Sequence, residues 1–139
     1  MILGEHARTA ESAAEQLDVS VGQIANSLVF ALPAAGDAEP DALLVMTSGA
    51  HRVDTAKVAG LLGVDRLDRA DADFVRHHTG FAIGGVAPIG HPAPLRTLVD
   101  RSLAEHPEVW AAAGHPRSVF RTSYETLLQL TGGTAVEVC

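Results

Sequence analysis

Seven histidines supply side chains of the kind that bind zinc or act as general bases near neutral pH. Two of them, His77 and His78, are adjacent, so on a helix their side chains diverge by about 100° and do not form the i, i+4 pair that chelates a metal. The others lack short metal-ligand spacing, and the only cysteine is Cys139. The sequence therefore predicts no metal site and no bound cofactor.

A glycine-rich segment at residues 84–90, GGVAPIG, could bring main-chain groups close to a ligand. Glycine has no β-carbon to obstruct a close approach, and Pro88 fixes the direction in which the loop leaves. The segment lacks the Gly-Lys-Ser/Thr ending of a P-loop and the GxGxxG spacing of a dinucleotide fold. Taken alone, the segment is best explained as an ordinary pair of turns, and a rigid wall of main-chain N–H and C=O groups is the functional alternative.

Residues that could serve as nucleophiles or acids lack the context of catalysis. No Gly-x-Ser-x-Gly elbow is present. Four aspartates at positions 65, 68, 71 and 73 are better explained by helix capping and a solvated rim than by acid/base chemistry. Residue chemistry alone leaves the function undecided.

Length, net charge and the apolar runs exclude several classes of protein. The length of 139 residues suits a single domain with its own core. The net charge of −7 argues against a free-standing nucleic-acid binder, and Lys57 is the only lysine. The clearest apolar run, residues 25–35, is shorter than the roughly 20 residues of a membrane span, so a cytoplasmic protein without a membrane partner is expected.

Local patterns predict the elements that must position these residues. Caps and helical spacing predict helices at residues 10–17, 55–62, 72–78 and 124–130, with short helical turns from residue 20 and at residues 101–106. Apolar runs predict strands at residues 27–32, 42–46, 64–67, 95–99, 109–113, 119–121 and 135–138, with a turn at residues 47–49 and a loop at residues 33–40. Because strands and helices do not alternate regularly, we predict a mixed α+β fold.

Several segments, taken in chain order, carry a family resemblance. They are RTAE at residues 8–11, QIANSLVF at 23–30, RVD at 52–54 with Lys57 before LLG at 61–63, TGF at 79–81, the 84–90 loop, and VFRT at 119–122 through LTGG at 130–133. Together they resemble the YbaK-type aminoacyl-tRNA editing domain family, which includes free-standing deacylases and the editing insertion of bacterial prolyl-tRNA synthetases. Each segment is weak alone, and the ordered set is specific.

The resemblance implies a mixed, barrel-like curled sheet with flanking helices, formed by residues 1–139 as a single editing domain. It implies hydrolysis of the ester that joins a wrong, small amino acid to tRNA, of the tRNA-Pro type, without a metal. The expected partners are the aminoacylated 3′ end of tRNA and a prolyl-tRNA synthetase.

The resemblance also nominates site residues. The family's Gly-x-x-x-Pro loop matches Gly84 and Pro88, with Gly85 and Val86 between them, and lines the pocket beside the aminoacyl ester. Gly84 is implied to be catalytic through its backbone.

Other pocket positions match elsewhere in the chain. Ala113 precedes Gly114 after the Trp110 strand, and His115 follows. Thr9 falls near another part of the pocket wall.

Two departures from the family pattern are visible. The lysine of the family's Ile-x-Lys-Ser/Thr-Leu segment is replaced by Asn26, which is expected to take a positioning role. Lys57 lies on the predicted helix capped by Asp54, where the family often has a separate lysine. An amide donates weaker hydrogen bonds than an ammonium to a phosphate or a developing negative charge. The N-terminal segment is also shorter than in the family, so a second copy of the chain in a homodimer is an alternative cover for that pocket wall.

Three functions follow as hypotheses. The first is an aminoacyl-tRNA deacylase of the prolyl-tRNA-synthetase-associated class. The second, motivated by Asn26, is a non-catalytic binding module of the same fold for a small ligand, a synthetase or charged tRNA. The third is a hydrolase of other small acyl esters with His115 or His51 as the base, although neither histidine has an evident partner in the sequence.

Overall fold

In the computed structural model, residues 10–33, 40–83, 85–92, 95–115 and 118–139 are described. Over these ranges four helices surround one mixed sheet of seven strands. The helices are α1 Ala10–Leu17, α2 Thr55–Leu62, α3 Ala72–Thr79 and α4 Tyr124–Thr131. The strands are β1 Ile24–Leu32, β2 Asp41–Ser48, β3 Asp68–Arg69, β4 Arg96–Asp100, β5 Val109–His115, β6 Ser118–Thr122 and β7 Thr134–Val136.

The sheet runs in the order β6-β5-β1-β2-β4-β7, and β3 adds to β1. β1 is antiparallel to β2 and parallel to β5, while β4 is parallel to both β2 and β7. The sheet curls without closing over the residues described. The predicted α+β fold with a curled, barrel-like sheet and flanking helices is confirmed.

The central strand β2 is buried on both faces because alternate side chains enter different core clusters. Leu44 and Met46 pack with side chains from α3 and α4. Leu43 and Val45 pack on the other face against α2 through Val58. The sheet is therefore covered on both sides along β2.

Side-chain caps fix where the helices begin, as predicted. Asp54 accepts a hydrogen bond from the N–H of Lys57 at 3.1 Å, and Asp71 accepts one from Phe74 at 2.8 Å. Ser123 caps α4 in the same way. These contacts satisfy N–H groups that have no partner within the helix.

Two local predictions are wrong. The predicted strand at residues 64–67 is not a strand: the pairing begins at Asp68, because only there does the backbone lie beside Phe30 and Ala31 of β1. The predicted turn at residues 47–49 starts too early, since β2 continues through Ser48. Most of the predicted loop at residues 33–40 lies outside the described residues.

Among the described helices, each is too short or too polar to cross a membrane.

Candidate functional site

The loop that follows α3 is anchored at its start by Thr79, whose side chain is fully buried. The Thr79 hydroxyl donates to the carbonyl of Val75 at 2.7 Å and accepts from the N–H of Phe81 at 3.0 Å. Gly80 ends the helix with a φ of 78°, in the left-handed region that glycine tolerates. The direction of the loop is therefore set by the helix end.

The ring of Phe81 ties this loop to the end of β5. A β-carbon placed on Gly114 would lie 3.0 Å from Cε1 of Phe81, and one on Gly90 would lie 3.4 Å from its Cζ. Both glycines also have positive φ, 100° and 90°. Phe81 thus lies against two glycines and holds together the loop and the predicted pocket position Gly114.

Replacing Gly114 with alanine is expected to destabilise the protein by about 2 kcal/mol, because it adds backbone strain and forces Phe81 to move. The control is Gly132→Ala, since Gly132 also has positive φ but no atom within 4 Å of the new β-carbon. Urea denaturation of both variants checks the difference. Equal losses of stability would contradict the packing role of Gly114.

Hydrogen bonds within the loop shape its backbone. Gly85 donates to the carbonyl of Ala82 at 3.0 Å, and Nε2 of His91 lies 2.8 Å from the carbonyl oxygen of Ala87. Val86 is 2% exposed and belongs to the same core cluster as Met46. The described residues 85–90 form no helix or strand, as predicted, and their role as a rigid wall for a ligand stays a prediction.

A cavity of about 520 Å³ lies beside this wall. Its lining is mostly apolar and comes from β1, the segment before α3, α3 itself and the loop: Leu28, Val29, Phe30, Leu67, Ala70, Val75, Ile83 and Val86. Ser27, Thr55 and Arg69 are its polar lining residues. Such a cavity suits a small ligand that is held by a few polar groups.

The cavity coincides with a gap along one edge of β1. On that edge β1 pairs with β5 at Ile24 and Ala25, and with β3 at Phe30 and Ala31. No described strand pairs with residues 26–29 on this edge. Within the part of the chain that the structure describes, main-chain groups of β1 therefore have no strand partner between the two short pairings.

The hydrogen-bond alternation identifies which main-chain groups face the gap. The carbonyl of Ile24 accepts from the N–H of Gly49, so the even-numbered residues of β1 bond towards β2. The N–H and C=O groups of Ser27 and Val29 then point to the opposite edge. Both residues line the cavity, which accordingly has a wall of backbone donors and acceptors.

Asn26 lies on β1 directly before the residues that line the cavity. It is half-buried, stands opposite Thr47 in the register with β2, and its side chain has no hydrogen-bond partner among the described residues. It is not among the residues that line the cavity. Its role therefore stays a prediction.

The other predicted site residues lie in the loop, lie at the end of β5, or fall outside the described residues. Gly85, Val86 and Pro88 are buried in the loop, and Ala113 is exposed beside Gly114 at the end of β5. The backbone of His115 pairs with Ser118, while Thr9 and Gly84 lie outside the described residues.

The only lysine is held elsewhere. Nζ of Lys57 lies 2.7 Å from the carbonyl oxygen of Cys139 and 3.3 Å from Oε2 of Glu137. It is not a lining residue of the 520 Å³ cavity. Lys57 therefore does not replace the lysine that is missing at Asn26.

A second polar cluster, which the sequence did not reveal, surrounds Asp100. Asp100 is 1% exposed, and its carboxylate accepts from the N–H groups of Ser48 and Ser102, both at 2.9 Å. Nδ1 of His51 lies 3.0 Å from its Oδ2. The Asp-x-Ser spacing signals the Ser102 contact, but nothing local signals His51, which lies 49 residues away.

This cluster is not arranged as a nucleophile triad. The hydroxyl of Ser102 lies 3.3 Å from Nδ1 of His51, the same nitrogen that faces Asp100. In a triad the carboxylate and the nucleophile contact different ring nitrogens. Within the described residues there is also no group of three His, Cys, Asp or Glu side chains that could hold a metal ion.

Burial opposes the charge of Asp100 and by itself would raise the pKa of its carboxyl group. The N–H groups of Ser48 and Ser102, together with His51, outweigh burial, so the pKa of Asp100 is lowered. Asp100 is therefore a buried carboxylate that links the end of β2 to the end of β4.

Comparison with known proteins gives the family. The model of the aminoacyl-tRNA editing domain matches residues 4–130. The chain belongs to the aminoacyl-tRNA editing domain family. The resemblance seen in the ordered motifs is confirmed.

Solved structures of similar chains extend this result. One, 43% identical with a TM-score of 0.88, covers 99% of this chain and 83% of its own and is of a protein proposed to be a trans-editing enzyme for prolyl-tRNA synthetase. Another, of a hypothetical protein, is 29% identical with a TM-score of 0.84 and covers 99% of this chain and 88% of its own. The editing-domain fold therefore accounts for nearly the whole chain.

Curated relatives include whole synthetases and small proteins. The proline–tRNA ligase of Delftia acidovorans is 36% identical over 101 residues, 69% of this chain and 17% of the ligase. The uncharacterized protein YwhH of Bacillus subtilis is 29% identical over 132 residues, 94% of this chain and 80% of YwhH. The chain spans about one sixth of the ligases that it matches.

Proposed function

We propose that this editing-family chain hydrolyses the ester that joins a small, wrongly attached amino acid to tRNA of the tRNA-Pro type. The observation that carries the proposal is the cavity of about 520 Å³ between the loop wall and the open edge of β1. Its volume lies within the usual range for small-molecule sites. The similarity to proline–tRNA ligases supports the choice of tRNA.

The proposed reaction uses main-chain groups at the cavity. Backbone N–H groups beside the ester carbonyl would stabilise the negative charge that develops on its oxygen. In the proposal these groups come from the open edge at Ser27 and Val29 and from the family position Gly84, because the N–H of Gly85 already donates to the carbonyl of Ala82. Asn26 would orient the substrate or the water through its amide.

The bond changes are those of ester hydrolysis. Water adds to the carbonyl carbon, the bond from that carbon to the ribose oxygen breaks, and the ribose oxygen takes up a proton. The products are the free amino acid and deacylated tRNA. Selection would rest on size, since an editing site acts as a second sieve that admits small amino acids.

The partners belong to the same proposal. They are the aminoacylated 3′ end of tRNA and a prolyl-tRNA synthetase, which the chain would serve in trans in the cytoplasm. Residues 1–139 would act as a single editing domain, either as a monomer or as a homodimer. Sedimentation of the purified chain tests the dimer.

One observation favours a second candidate function, the non-catalytic binding module. Asn26 is neutral at the position where the family has a lysine, and Lys57 is bonded to Glu137 and Cys139 instead. A chain that keeps the cavity without this charge could bind charged tRNA, a small ligand or a synthetase and hydrolyse nothing.

Hydrolysis of a panel of mischarged tRNAs by the purified protein separates the two candidates. We expect the wild type to deacylate tRNA-Pro that carries a small amino acid. Asn26→Ala should lower the rate at least tenfold, because it removes the amide that orients the substrate or the water in the proposal. Lys57→Gln is the control and should keep the wild-type rate. A wild type without turnover, together with an active Asn26→Lys variant, would overturn the editing proposal and support the binding module.

A further inference from the structure

Arg69 is the charged residue among those that line the 520 Å³ cavity. Its backbone pairs with Phe30, so β3 places the side chain beside the open edge of β1. The side chain is exposed and has no carboxylate within ion-pair distance among the described residues. Its positive charge is therefore available to a ligand at the mouth of the cavity.

The nearest carboxylates along the chain already have partners. Asp68 accepts from Nε of Arg66 at 2.8 Å, and Asp71 accepts from the N–H of Phe74 at 2.8 Å. Asp68 belongs to β3 and Asp71 follows it by two residues, so either could otherwise neutralise Arg69. In a chain of net charge −7, an uncompensated guanidinium beside an apolar cavity indicates a site for an anionic group.

We propose that Arg69 binds a phosphodiester group near the 3′ end of tRNA and so positions the aminoacyl ester in the cavity. The inference rests on the proposed function and adds the residue that grips the nucleotide. A guanidinium suits a phosphate because its planar fork donates two parallel hydrogen bonds. The apolar lining accommodates the neutral part of the same ligand.

This assignment supplies a positive charge that the neutral Asn26 lacks. Asn26 contributes no charge, and the ammonium of Lys57 is bonded to Glu137 and Cys139. Arg69 supplies positive charge from β3, beside the cavity that the loop also lines. The protein then holds a nucleic-acid end through one local contact despite its acidic balance.

Binding of the RNA trinucleotide 5′-CCA-3′ without an attached amino acid tests the phosphate contact separately from ester hydrolysis. We expect Arg69→Gln to weaken binding about tenfold and to reduce the log–log salt slope by about 0.7, the value for one phosphate contact on a single strand. Arg69→Lys should recover part of the affinity, since it keeps the charge but not the fork. Binding of adenosine, which has no phosphate, should change less than about twofold.

Arg96→Gln is the matched control. Arg96 is also exposed and without an ion pair among the described residues. Arg69 pairs with Phe30, Phe30 pairs with Leu43, and Leu43 pairs with Arg96. The backbones of Arg96 and Arg69 are therefore separated by three strand spacings, roughly 14 Å. If Arg96→Gln weakens trinucleotide binding as much as Arg69→Gln, the effect is one of net charge and the inference is overturned.

Deacylation assays separate this inference from the proposed function. Aminoacyl-CCA and aminoacyl-adenosine esters are compared, and Arg69→Gln should raise KM for the first about tenfold with little change in kcat.

An active wild type whose Arg69→Gln variant is unchanged on both esters overturns the role of Arg69 and leaves editing intact. An effect that follows the acyl group instead of the phosphates assigns Arg69 to the aminoacyl group, for example to its ester carbonyl oxygen, and also overturns the inference. A wild type that hydrolyses no ester but shows Arg69-dependent trinucleotide binding supports the Arg69 contact and overturns the hydrolysis.

Discussion

Asp100→Asn is expected to lower the free energy of unfolding at neutral pH by about 3 kcal/mol, because it breaks charge-assisted hydrogen bonds inside the protein. Asp100 is 1% exposed and accepts from two backbone N–H groups, from the hydroxyl of Thr47 and from His51. An asparagine amide would also place an NH₂ group where these donors converge. Urea denaturation at pH 7 measures the loss.

The effect should depend on pH in a defined direction. Because the pKa of Asp100 is lowered in the folded state, its contribution to stability is complete above the unfolded-state pKa, about 3.9, and is lost as the pH falls through the folded-state pKa. The difference between wild type and Asp100→Asn should therefore shrink below about pH 4.

Asp65→Asn is the control for this variant, since Asp65 is exposed. Its replacement should change the free energy of unfolding by less than about 0.5 kcal/mol. An Asp100→Asn variant as stable as Asp65→Asn, or one whose deficit stays constant down to pH 2, would show that the buried carboxylate contributes no net stability.

Gly49→Ala is the second substitution with a large expected effect, a loss of about 3 kcal/mol. A β-carbon at Gly49 would lie 2.6 Å from both Cβ of Ala10 and the carbonyl oxygen of Val21. The second atom belongs to the backbone, so relief requires movement of the chain between α1 and β1. The N–H of Gly49 also donates to Ile24 at 2.7 Å, which prevents Gly49 from moving away.

Gly60→Ala provides a control of opposite sign. Gly60 lies within α2, and a β-carbon there would meet nothing within 4 Å. Alanine is the better helix former, so the variant should gain up to about 1 kcal/mol. Thermal denaturation of both variants measures the contrast, and a neutral Gly49→Ala would contradict the close packing of α1 and the turn before β1 against Gly49, directly after β2.

The helices could be predicted because their signals are local. Asp54, Asp71 and Ser123 each precede a short helix and bond to the N–H three residues later, as caps do. The strand at residues 64–67 was misplaced because Leu67 has the apolar character of a strand but packs against the cluster around Val58, while the backbone pairing falls on polar residues. Pairing of so short a strand is decided by β1 and not by its own residues.

The site was predictable in part for a similar reason. The loop could be predicted from its glycines and Pro88, and the family from ordered motifs. Arg69 and Asp100 could not, because their importance arises from contacts across the sheet: Arg69 beside the gap in β1, and Asp100 beside His51. No short-range pattern encodes where a strand lacks a neighbour.

The gap in β1 has a consequence for folding. The gap is bordered by the pairing of β1 with β3 and by the pairing of β1 with β5. In the second pairing Ile24 lies beside Trp110, which is far away in the sequence. Contacts of such long sequence separation form late, after the local helices and the β1–β2 hairpin. The cavity between them therefore exists only once the distant strands have docked, and partial unfolding that releases β3 or β5 would remove the cavity while most of the helical structure persists.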